Sequence, residues 1–217
     1  MPCDDLPFNR SAPTRGPDSA ATRGLTEDVA TVRAEIDSVD GRVVLAAHSY
    51  GGVPATWAAA DAGQVTELVY IAAFVLVPGV SMMKWMGGDF PPTWIHSSDG
   101  LAVKAGDARE SIFSGVDPQL AGEAVERLDW QGMGAFTQTL GAAPTGLPLT
   151  YIVATEDPAL PPAVQEEWAA QAARSVRIPS GHSPHLSHMA TQHREAPKDH
   201  KGSTRGSCGS ADPTKGV

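Results

Sequence analysis

The sequence predicts an α/β domain in three layers: a mostly parallel sheet flanked by helices, with a helical lid inserted between two of its strands. Three observations carry that expectation. Residues 43–47, 68–74 and 149–154 are continuous apolar runs without in–out alternation, the pattern of strands buried on both faces. Helical stretches alternate with them along the chain. The first run passes directly into His48-Ser49-Tyr50-Gly51-Gly52, so a serine stands between a strand and a glycine-bearing helix start.

The elements follow in order. Residues 1–23 are rich in Pro, Ser, Thr, Arg and Asp and read as loop. Leu25, Val29, Val32, Ile36 and Val39 recur at helical spacing, with Glu27 and Asp28 in the first turn, where the helix dipole favours acids. Gly41 ends that helix, the strand at 43–47 follows, and an alanine-rich helix occupies about 53–62. After the strand at 68–74 the rhythm breaks. Residues 80–143 carry Met82, Met83, Trp85, Met86, Pro91, Pro92 and Trp94, then helical stretches near 118–128 and 133–140. An insert at this position suits a lid, and methionine and tryptophan suit either an adaptable pocket wall or plain packing on the core. The strand at 149–154, a helix at about 163–173 and a short strand at 175–178 complete the domain, which spans 1–187. Residues 188–217 are polar without periodic apolar positions and read as a disordered tail.

Composition bounds the class. A chain of 217 residues is long enough to bury one sizeable core. Its formal net charge of -9 argues against nucleic acid and anionic membrane surfaces as partners. No apolar run approaches the roughly 18 residues of a membrane span, and the N-terminus has neither the basic start nor the apolar stretch of a signal peptide. Cys3 and Cys208 lie near opposite ends in polar surroundings and suggest neither a disulfide framework nor a metal site. A cytoplasmic location is expected.

The strand–serine–helix passage has the layout of a nucleophile elbow, with Ala47 where the usual Gly-x-Ser-x-Gly pattern has its first glycine. A hydroxyl needs a base, and the base an orienting acid. Thr155-Glu156-Asp157-Pro158 directly follows the strand at 149–154, and Gly181-His182-Ser183 follows the strand at 175–178. Both therefore fall at the C-terminal edge of the sheet, where sites in open α/β sheets form. Asp157 would fix the tautomer of His182, His182 would take the proton of Ser49, and the backbone N–H of Tyr50 would donate to an oxyanion. Glu156 is an alternative acid. His48 reads as a packing residue. The three-residue spacing of His182, His185 and His188 resembles a metal patch, though no companion Cys or acid supports one.

Residues 43–52, 151–162 and 180–184 resemble the α/β-hydrolase superfamily, within it the compact carboxylesterase-like branch that includes plant methyl-ester esterases and hydroxynitrile lyases. The resemblance covers roughly residues 4–187. It implies a three-layer α/β-hydrolase fold with Ser49 as nucleophile, Asp157 as acid, His182 as base and no cofactor. The expected activity is hydrolysis of a small ester through an acyl-enzyme, with a small-molecule ester substrate as partner, and the apolar insert favours a largely hydrophobic acyl or alcohol group.

Two departures from the family pattern stand out. Members open with a strand ending in a His-Gly loop that supplies a second oxyanion N–H, and this chain has no such segment; Asp4-Asp5-Leu6-Pro7-Phe8 already resembles the loop after the next strand. The family's last helix, after His182, is replaced by the tail. The strand at 43–47 is then expected to lie at a sheet edge, which favours self-association into a homo-oligomer. Two other readings stay open: a lyase using His182 as base, with Lys84 as a weak candidate for the extra cation, and a non-catalytic or impaired relative.

Overall fold

The computed structural model describes residues 23–60, 62–141 and 146–188. The expected N-terminal loop, apart from Arg23, and the expected tail, apart from His188, lie outside the described residues.

Helix α1 spans Leu25–Asp37. Glu27, in its first turn, reaches back so that the backbone N–H of Gly24 donates to its carboxylate at 2.9 Å, satisfying a group at the helix entrance. Strand β1 (Val43–His48) leads into a single 3₁₀ turn (Ser49–Gly51) and then α2 (Gly52–Ala58). Arg33 of α1 donates to the carbonyls of Ala58 and Ala60 at the C-terminal end of α2, where unpaired carbonyls and the helix dipole favour a cation. Val39 falls beyond the end of α1 and is exposed, so it is not part of the apolar stripe.

Strand β2 runs Val65–Ile71, earlier than the 68–74 read from the sequence. The apolar run continues past Ile71, but Ala72 takes φ +42°, a left-handed conformation that no strand accommodates. The chain turns there, and the N–H of Phe74 donates to the carbonyl of Ser49 at 3.0 Å. Strands β6 (Leu149–Ala154) and β7 (Arg174–Ile178) come after the insert, separated by α7 (Pro162–Ala169), which is shorter at its end than expected. The short helix α8 (Pro184–Ser187) closes the described chain.

The four strands form one parallel sheet in the order β1-β2-β6-β7. Side chains at 43, 45 and 47 point to the same face as Leu68, Tyr70, Tyr151 and Val153, where they pack with Val29, Val32, Ile36, Ala55, Ala58 and Ala169 of the three main helices. Tyr70 and Tyr151 are buried there edge to face, each with its hydroxyl satisfied: Tyr70 pairs with Thr56, and Tyr151 donates to the carbonyl of Ala73 at 2.7 Å. On the opposite face Val44 and Val176 are 58% and 50% exposed. Among the described residues β1 has a neighbour on one side alone, as expected of an edge strand.

The insert contains more than the two helical stretches read from the sequence. Helices α3 (Met82–Trp85), α4 (Ala108–Ser111), α5 (Pro118–Glu126) and α6 (Gly134–Thr137) are accompanied by a small antiparallel sheet, β3 (Trp94–His96), β4 (Ala102–Ala105) and β5 (Gln131–Gly132). Met82, Val103 and Phe136 are buried with Phe74, Leu76 and Val53 of the main domain. Phe113, Val116 and Ala121 form a separate cluster against Leu186 of α8. The insert is therefore packed on the core and also on the segment that carries His182.

Candidate active site

Ser49, Asp157 and His182 come from three separate strand ends and meet. His182 Nε2 lies 2.8 Å from Ser49 Oγ, and His182 Nδ1 lies 2.7 Å from Asp157 Oδ2. His182 and Asp157 are 2% and 4% exposed, whereas Ser49 is half-buried and accessible from solvent. Both imidazole nitrogens are thus engaged, one by a carboxylate that can only accept and one by a hydroxyl. Glu156, the alternative acid, is exposed; Asp157 occupies the buried position instead.

The serine sits on a strained turn. Ser49 has φ +52°, uncommon for any residue but glycine, between the extended His48 and the helical Tyr50. The strain is held by packing: the carbonyl of Ser49 accepts from Phe74, and Phe74 is positioned through the Ala73–Tyr151 hydrogen bond. Tyr50 heads the helical turn that follows, where N–H groups have no intrahelical partner. Its side chain turns away to donate to Asp28 Oδ2 at 2.7 Å, and burial together with that carboxylate raises its pKa above the usual phenol range.

Asp157 is saturated. Oδ1 accepts from the backbone N–H groups of Ala159 (2.8 Å) and Leu160 (2.9 Å), and Oδ2 accepts from His182 and from Gln165 Nε2 at 2.8 Å. Gln165 was not legible as a site residue in the sequence, since a glutamine in a helix gives no sign of which face is buried.

His48 is more than packing. Its Nε2 lies 2.7 Å from the carbonyl oxygen of His182, so it must be the donor. Burial, with the neighbouring His182 and His185 imidazoles, lowers its pKa from 6.5 to about 3, which keeps it a neutral donor over the physiological range. The ring of His185 stacks edge-on against His48 at 4.6 Å. The spacing that resembled a metal patch therefore places His182 in the serine–aspartate relay and His185 beside His48; among the described residues no cluster of three metal-binding side chains forms. Lys84 is exposed on α3.

The histidine loop is braced by the insert. Ser183 Oγ donates to the carbonyl of Ile112 at 2.9 Å, and a Cβ on Gly181 would collide with Ser114. Two cavities flank this region. One, of about 340 Å³, lies beside Tyr50 and Gly51 and includes Asp28, Thr31 and Trp130. The other, of about 420 Å³, lies within the insert between Met83, Phe90, Trp94 and Met133. Tyr50 and Gly51, which directly follow Ser49, line the first of them. Among the described residues no helix is long and apolar enough to cross a membrane.

The family model described as the alpha/beta hydrolase family matches residues 5–193. The chain is 29% identical over 181 residues to the alpha/beta hydrolase nvfD of Aspergillus novofumigatus (strain IBT 16806), a match covering 75% of this chain and 72% of the relative. Its fold is similar to that of a pyrethroid hydrolase from Sphingobium faniae JZ-2, at 22% identity and a TM-score of 0.60 over 81% of this chain and 79% of the other. A methylesterase from Arabidopsis is likewise similar, at 18% identity and a TM-score of 0.64 over 78% and 74% of the two chains.

Proposed function

The chain belongs to the alpha/beta hydrolase family, and we propose that it acts there as a serine hydrolase on a small, largely apolar carboxylic ester, through an acyl-enzyme. The observation that carries this reading is the continuous relay from Ser49 Oγ to His182 Nε2 and from His182 Nδ1 to Asp157.

His182 Nε2 accepts the proton of Ser49 as Oγ attacks the ester carbonyl carbon. Asp157 holds the Nδ1–H tautomer and stabilises the imidazolium that forms. The oxyanion takes its hydrogen bond from the N–H of Tyr50, at the positive end of the turn that opens α2. The tetrahedral intermediate collapses, the ester C–O bond breaks, and His182 returns its proton to the departing alkoxide. Water, deprotonated by the same imidazole, then attacks the acyl-serine and releases the acid and free Ser49. Every step uses protein groups and water.

An apolar substrate group is supported by Met83, Phe90, Pro91, Trp94 and Met133 in the lining of the insert, which offer thioether and aromatic surface beside the polar Asp89 and His96. The insert would then serve as a lid over residues 80–143. A methylesterase and a pyrethroid hydrolase among the structures of similar fold agree with ester chemistry. The substrate is a small molecule, and the acidic chain is suited to the cytoplasm.

The test is labelling with a fluorophosphonate probe beside Ser49→Ala and His182→Ala. Labelling of the native protein that disappears in both variants is the expected result. A folded native protein that takes no label, or a Ser49→Ala variant that still does, overturns the reading.

A further inference from the structure

We propose that Gln165 is a positioning residue that sets the orientation of the Asp157 carboxylate toward His182. This rests on the triad chemistry above.

Gln165 is fully buried on α7, next to the half-buried Glu166 and the exposed Glu167. Its amide makes three well-formed hydrogen bonds to the segment between β6 and α7. Oε1 accepts from the N–H of Ala154 at 2.9 Å, and Nε2 donates to the carbonyl of Leu160 and to Asp157 Oδ2, both at 2.8 Å. The amide orientation is determined by these partners, because Ala154 N–H can only donate while Leu160 C=O and the carboxylate can only accept. One side chain thereby ties the last residue of β6 to the turn that carries Asp157 and to the carboxylate itself.

The oxygen that Gln165 holds is the one that accepts from His182 Nδ1. A donor on that oxygen removes a rotational freedom of the carboxylate, so Oδ2 stays aimed at the imidazole. A purely architectural glutamine would need the bonds to Ala154 and Leu160 alone. A polar side chain buried at this depth costs stability unless every polar atom is paired, and here all are.

The titratable groups facing the pair are few. His48 lies with its ring centre 4.7 Å from that of His182, and His185 sits behind His48. Tyr151 on β6 is near enough to feel the charge on Asp157. On α7, Glu166 is turned outward into an ion pair with Arg177 of β7. None of these donates to Asp157 Oδ2.

The experiment compares native protein, Gln165→Met and Gln165→Glu, following p-nitrophenyl acetate hydrolysis against pH and fluorophosphonate labelling of Ser49. Methionine keeps the volume and removes both polar groups; glutamate keeps the size and the acceptor for Ala154 but shares a proton with Asp157, leaving one O–H where the amide had two N–H donors for Leu160 and Asp157. The expected result is a roughly 10- to 100-fold loss of kcat with KM little changed, as for a misaimed catalytic group. The low-field proton resonance of His182 Nδ1–H should shift in both. An unmoved resonance, with activity loss matching only the loss of folded protein, overturns the inference while leaving the triad intact. If native protein is not labelled at Ser49, the triad reading fails and this inference falls with it, a result seen without any Gln165 variant. Should Gln165→Met not fold, the isosteric Gln165→Glu carries the test.

Discussion

A Cβ placed on Gly52 would lie 2.5 Å from the carbonyl oxygen of Phe74, while one placed on Gly51 would meet nothing within 4 Å. The first residue of α2 is therefore pressed against the backbone that also holds Ser49 through its N–H. Both glycines have helical dihedrals, so conformation does not distinguish them. Gly52→Ala should destabilise the fold by about 1–3 kcal/mol through overpacking and lower ester turnover by displacing the serine. Gly51→Ala should be near neutral in stability. Thermal melts of the two variants check this, and equal losses would contradict it.

His48 should be replaceable by a side chain that donates from the same place. A glutamine there would present an amide N–H near the position of Nε2, whereas a phenylalanine offers none. His48→Gln is expected to keep most of the activity, and His48→Phe to lose about tenfold or more as the His182 loop loses its anchor. Stability against pH supplies a second readout. The folded pKa of His48, about 3, is below its unfolded value, so between those values the unfolded state binds more protons and stability falls as pH falls from about 6.5. Denaturant titrations across pH 4–7 should show a slope shallower by up to about 1.4 kcal/mol per pH unit in His48→Gln. An unchanged slope would mean that His48 titrates normally in the folded protein.

The insert should affect catalysis through the histidine loop as well as through substrate. Gly181 sits against Ser114, so Gly181→Ala must push the loop and the insert apart. A roughly tenfold or greater fall in kcat is expected from the displaced His182, with the native KM largely retained. Kinetics of this variant beside Ser183→Ala, which loses only the hydrogen bond to Ile112, separate displacement from a weakened tether. A Gly181→Ala enzyme with native kcat would show that the brace does not set the histidine.

Among the described residues strand β1 is an edge of the sheet, and Val44 on its open face is 58% exposed, with no charge or proline on the strand to discourage pairing. Light scattering over a range of concentrations should show mass increasing for the native chain and less so for Val44→Lys, whose charge opposes edge-to-edge contact. Indistinguishable profiles would place any self-association elsewhere.

Much of this protein was legible from residue order. Three uninterrupted apolar runs mark β1, β2 and β6, whereas β7, Arg-Ser-Val-Arg-Ile, is not such a run. Ser49 directly follows the first run, and Asp157 and His182 stand in the loops after β6 and β7; strand ends of a parallel sheet share one edge. The limits of β2 were not, since Ala72, Ala73 and Phe74 are as apolar as the strand before them and only the left-handed turn at Ala72 tells them apart. The small sheet of the insert escaped because strands of two to four residues are too short to show alternation.

The sequence by itself determined the α/β class, the order of the main strands and the three groups that meet at one edge of the sheet, because those depend on local patterning and chain order. Only the tertiary structure decided which acid was buried, that His48 and Gln165 hold His182 and Asp157, and that Gly52 rather than Gly51 is the crowded glycine. Those outcomes depend on distances between segments about a hundred residues apart in some cases and a single turn apart in others. A donor, an acceptor or a missing Cβ has no meaning until its partner is brought to within a few ångströms, and folding alone does that.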